Sequence, residues 1–214
     1  MTPAERSPAA PARATRVAFY LVVATLGILS MGFQLLASRL LNPHFGSSII
    51  VWAWLISTFL AAFSIGSMTG GWISNLPGAP RRRACWLGAA IAVGSLALTA
   101  FFGRGILDYF EITFTEVSTA LLVSCLGLFF VPVTALSLFG PMCVQYLATR
   151  GMPPGKASGA IYGVSTLGNI AGVMLTAFVL IPNFPVSTLL YGWLGVAVLS
   201  LLALLKLLGG TEEK

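Results

Sequence analysis

Apolar residues run along this chain in six long blocks, interrupted only by short connectors that carry the prolines and most of the charge. A helix needs roughly 20 mostly apolar residues to cross a bilayer core. The pattern predicts six such helices, at about residues 17–41, 49–76, 84–103, 117–148, 158–181 and 186–208. The first block is expected to end at Asn42–Pro43, where proline forbids continuation, and the second at Pro77–Gly78. Residues 104–115 interleave Asp108 and Glu111 with Tyr109, Phe110 and Phe114, so this segment is expected to lie flat as a short interfacial helix. The fourth block is overlong and contains Pro132 and Pro141. Each removes an internal hydrogen bond, which predicts a kinked or tilted helix.

The fold class that follows is an all-α integral membrane protein with six transmembrane helices. Residues 17–208 form its membrane domain, a disordered tail rich in Ala and Pro covers 1–16, and a short polar tail covers 209–214. The apolar run after the first tail is too long for the core of a signal peptide and is read as a first helix. Composition agrees: 57% of residues are hydrophobic and 8% are charged, mean hydropathy is +0.92, and a soluble domain would carry about 25% charged residues.

The net charge of +6 changes meaning once the charges are placed. Arg6, Arg13, Arg16, Arg81, Arg82, Arg83, Arg150, Lys156, Lys206 and Lys214 fall in the two tails and in the second and fourth connectors. Only Arg39 and Arg104 lie toward the other side. This positive-inside distribution predicts both termini in the cytoplasm and removes the case for nucleic-acid binding. Arg81, Arg82, Arg83 and Lys156 become candidates for cytoplasmic docking or for contact with anionic lipid. Cys85, Cys125 and Cys143 lack CxxC spacing and read as small buried hydrophobes.

Glycines concentrate in two helices. Gly66, Gly70 and Gly71 mark the second; Gly159, Gly163, Gly168 and Gly172 mark the fifth. Small residues at four-residue spacing let backbones approach closely, either inside one bundle or against a partner subunit. Polar residues within the spans are few. Gln34, Thr166 and Asn169 are candidates for interhelical hydrogen bonds or for a polar cavity. Nothing acidic and no histidine lies deep in a span, which weakens a proton-driven pump. Arg39 is placed to snorkel to head groups or to pair with an outer acid among Asp108, Glu111 and Glu116. Asp108 and Glu111 would share a helical face. His44 alone makes neither a metal site nor a triad, and no nucleotide-binding, zinc-protease or nucleophile-elbow motif occurs. Neither catalysis nor a cofactor is expected.

The segment Gln34-Leu-Leu-Ala-Ser-Arg39-Leu-Leu-Asn-Pro43-His-Phe45-Gly46 through Trp52 resembles the first helix and turn of the membrane region of bacterial spermidine synthase-like proteins, in which a major-facilitator-like bundle is fused to an aminopropyltransferase domain. Pro132 through Phe139-Gly140-Pro141 looks like that family's fourth helix, and Gly159 through Gly172, followed by Phe178-Val-Leu-Ile-Pro182, is similar to its fifth. Ser165 stands where the family usually has Asn, and no counterpart of the catalytic domain is present. The resemblance implies a stand-alone, non-catalytic membrane component of the bacterial inner membrane. It would anchor or assemble with a separate aminopropyltransferase-like enzyme or another membrane subunit. The alternative is a half-size transporter acting as a homodimer on a small, perhaps cationic, metabolite. An aqueous cavity lined by Gln34, Thr166 and Asn169 would favour transport; a dry bundle whose glycine faces await foreign helices would favour the structural role.

Overall fold

The computed structural model describes residues 13–209. Six helices long and apolar enough to cross a membrane fill it, with no strand among the described residues. They are α1 (Arg13–Phe45), α2 (Ile49–Ser74), α3 (Gly78–Thr113), α4 (Val117–Ala148), α5 (Pro154–Asn183) and α6 (Val186–Gly209). The expected tails over residues 1–12 and 210–214 lie outside the described residues; 13–16 already belong to α1. An even number of crossings returns the chain to the side on which it started, called the terminal side below. The opposite side is the far side.

Three boundaries differ from the sequence pattern: α3 begins at Gly78, so Arg81, Arg82 and Arg83, expected in the connector, lie in its first turns. Pro43 does not stop α1, because its fixed φ suits a helix and near the end its missing N–H costs one bond. The helix continues to Phe45 and closes when Gly46 N donates to Asn42 O at 2.9 Å. Gly46 then turns the chain at φ +71°, and the Ser48 hydroxyl caps α2 by accepting from Val51 N at 3.4 Å. Nor do residues 104–113 lie flat: they are the last turns of a continuous 36-residue α3. Leu107, fully buried in the core, holds them upright. At about 1.5 Å per residue, α3 is longer than the ~30 Å hydrocarbon core, so Asp108 and Glu111 can stand beyond it.

The prolines of α4 act as expected, by a route the structure makes specific. Residues Cys125–Phe130 widen into a π-helical turn, and the helix breaks again at Leu138, just before Pro141. Pro132 has no N–H for the carbonyl of Leu128, one turn back, and the buried Thr99 hydroxyl of α3 donates to that oxygen at 2.7 Å. A second π turn, Thr176–Leu180, precedes Pro182 in α5. The α4–α5 connector ends α4 in a Schellman arrangement. Gly151 adopts φ +85°, its N–H donates to Ala148 O, and Met152 N donates to Leu147 O.

Packing divides the six helices into two groups that cut across sequence order. α1 lies along α5 and against α6, whereas α2 and α3 lie along α4; α6 also packs on α3, and α4 on α5, which joins the groups. The two groups are built alike. A Cβ added to Gly168 or Gly172 of α5 would strike the carbonyls of Ala24 and Ile28 in α1. One added to Gly66 or Gly70 of α2 would strike those of Thr134 and Leu138 in α4. In the first group Trp193 Nε1 of α6 donates to Leu29 O of α1 at 3.2 Å, as Thr99 of α3 serves α4 in the second. The first and fourth helices are thus the axes on which the others pack.

Candidate functional site

Between the two groups a cleft of about 250 Å³ opens, walled by α1 and α5 on one side and α2 and α4 on the other. Its residues fix its depth. It takes Val23–Met31 from α1, Phe63 and Ser67 from α2, Leu136–Cys143 from α4, and Ile161–Asn169 from α5. Each stretch lies between the middle of its helix and that helix's terminal-side end. Beyond the midplane the groups close on an aromatic trio. The buried rings of Phe33, Phe59 and Phe129 have centroids 5.8–6.5 Å apart. The cleft is therefore closed beyond the midplane by this trio and toward the termini by Phe19 of α1 stacked on Tyr146 of α4 at 4.9 Å, and its exposed lining, Tyr162 and Thr166, lies on the flank of α5.

The cleft is polar without being charged. α5 contributes Tyr162, Ser165, Thr166 and Asn169, spaced i, i+3, i+4 and i+7 and so on one helical face. α1 adds Ser30, α2 adds Ser67 and α4 adds Ser137. Ser30 and Ser137 donate to their own helices, at Leu26 O (2.9 Å) and Val133 O (2.7 Å), which leaves their oxygens free to accept. The side chains of Ser67, Ser165, Thr166 and Asn169 make no hydrogen bond among the described residues. In hydrocarbon such groups cost several kcal/mol at the upper end; facing water or a solute they cost little. Gly27 of α1 makes the close α1–α5 approach workable, since a Cβ there would meet the backbone of Ser165 and Asn169.

Of the polar residues singled out in the sequence, Thr166 and Asn169 meet in this cleft, and Gln34 does not line it. Ser30, Ser67, Ser137 and Tyr162 were not foreseen as lining; the period on α5 was the available signal. The glycines divide. Gly66, Gly70, Gly168 and Gly172 are consumed by packing within the bundle, whereas Gly71, Gly159 and Gly163 have nothing near the position of a Cβ. α5 is also the least covered span, with 17% of its most apolar window buried. The three cysteines are buried, as expected, and form no disulfide.

On the far side Arg39 is exposed and makes no ion pair with an acid among the described residues. His44 takes that place: its Nδ1 lies 2.9 Å from Glu111 Oε2 and 3.5 Å from Asp108 Oδ1. On the terminal side Arg82, Arg83 and Lys156 are exposed, and Arg150 stands over the Tyr146 ring at 4.2 Å. No group of histidine, cysteine and acidic residues among the described residues could hold a metal ion.

No family model, curated protein or solved structure matches the chain. What it can do has to be read from its own geometry: a multi-pass bundle with an uncharged polar cleft reaching mid-depth.

Proposed function

We propose that the protein is half of a membrane carrier, that its cleft binds a small uncharged solute through hydroxyl and amide groups, and that it acts paired with a second membrane subunit. The observation that carries this reading is the cleft, where unpartnered polar side chains from α2 and α5 gather at and below mid-bilayer depth. Its volume is just under the ~300–1,000 Å³ of pockets for drug-sized ligands, which suits a smaller solute. Asn169 offers both a donor pair and an acceptor, and the hydroxyls around it can do either. No carboxylate lines the cleft, and the far-side acids Asp108 and Glu111 are engaged by His44. Support for a cationic solute is therefore lost.

A second reading keeps the non-catalytic accessory role, in which the chain anchors an aminopropyltransferase-like enzyme in the bacterial inner membrane. It draws on the resemblance across residues 32–185 and on the open stretch at Gly159 and Gly163, together with exposed Arg82, Arg83 and Lys156. The two readings separate in a thermal-shift screen of the detergent-purified chain against uncharged polyols and amides and against polyamines. Stabilisation by an uncharged compound, lost in Asn169→Ala, is the expected result. Stabilisation by no compound, with a soluble enzyme co-purifying in fixed ratio, would replace the carrier reading with the accessory one.

A further inference from the structure

At the far end of the bundle one polar contact spans the two helix groups. His44 sits in the last turn of α1, in the first group; Asp108 and Glu111 sit on α3, in the second. The imidazole is mostly covered, its side chain 10% exposed, while the acids keep 65% and 49%. The other ionisable groups toward this end are Arg39 on α1, Arg104 and Tyr109 on α3, and Glu116 before α4. None of them pairs with His44, and Glu116 instead accepts from Thr119 at 3.3 Å. A protonated imidazole can make charge-assisted contacts with both carboxylates, whereas a neutral one can donate from Nδ1 a single, weaker hydrogen bond. A helix C-terminus also favours the cation.

We propose that His44, Asp108 and Glu111 form a proton-sensitive latch holding the far ends of the two groups together. Mild acid on the far side then favours the state in which these far ends stay closed. Histidine is the side chain whose charge changes between about pH 5 and 8. The latch needs no solute in the cleft, so its failure and that of the proposed function are distinguishable.

The test is a distance measurement between spin labels at Asn42→Cys and Ile112→Cys, both at exposed positions, in a background with the three native cysteines replaced by alanine, in lipid nanodiscs. The expected result is a short, narrow distribution at about pH 5 that lengthens and broadens toward about pH 8. His44→Gln should give the long distribution at both values, and so should Asp108→Asn combined with Glu111→Gln, which serves if the histidine variant does not fold. A distribution in the parent protein that ignores pH, or variants that follow pH as the parent does, would overturn the proposal.

Discussion

The two halves of the bundle, one toward the termini and one beyond the midplane, are made from the same helices and solve opposite problems. Beyond the midplane, Phe33, Phe59 and Phe129 fill the space between the groups, and His44 bridges their ends. Nearer the termini α2 and α5 turn Ser67, Thr166 and Asn169 into a cleft between this seal and the Phe19–Tyr146 stack. In lipid, two apolar surfaces gain little from the hydrophobic effect by meeting, so close packing and satisfied polar groups decide which surfaces stay together. The sealed half has both. The half nearer the termini has polar groups without partners, which is the condition a binding site requires.

That contrast can be attacked at several points. The largest effect is expected in the seal. Phe33→Ala should lower stability by about 3–5 kcal/mol, read from chemical unfolding in micelles, and should admit water-soluble labels to the cleft from the far side. Overpacking comes next. Gly70→Leu or Gly168→Leu should cost about 1–3 kcal/mol, because each Cβ would meet a neighbouring helix's carbonyl. Gly163→Leu, with open space around it, should leave the monomer within about 0.5 kcal/mol of the parent and alter pairing instead. Thr99→Val should cost about 1–3 kcal/mol by stranding the Leu128 carbonyl. Pro132→Ala restores a backbone donor to that oxygen, so in its presence the threonine change should cost clearly less. If the two changes are additive, Thr99 does not act by satisfying that carbonyl. Smallest in stability is Asn169→Ala, within about 0.5 kcal/mol, with solute binding lost.

Much of the fold was legible in the sequence because membrane spans declare themselves by length and hydropathy. The site was less so. Pro43 and residues 104–113 misled, since a proline in a last turn is tolerated and acids beyond the hydrocarbon core are no reason for a helix to bend. Glycine spacing announced close approach without saying to what: Gly168 and Gly172 meet α1, while Gly159 and Gly163, at the same spacing on the same helix, meet nothing. The polar face of α5 was present as a helical period from Tyr162 to Asn169. Ser30, Ser67 and Ser137 come from three other helices and join it only after folding, so no local pattern could gather them.

The most direct test asks whether the cleft is wet. In a cysteine-free background, Thr166→Cys faces the cleft, and Leu167→Cys, its neighbour at the same depth, faces away and is 68% exposed on the bundle surface. With the protein in sealed vesicles, a charged, membrane-impermeant thiol reagent should modify position 166 and leave position 167 untouched. Equal protection of both positions would mean that lipid or packed protein occupies the cleft, and the carrier account would fail.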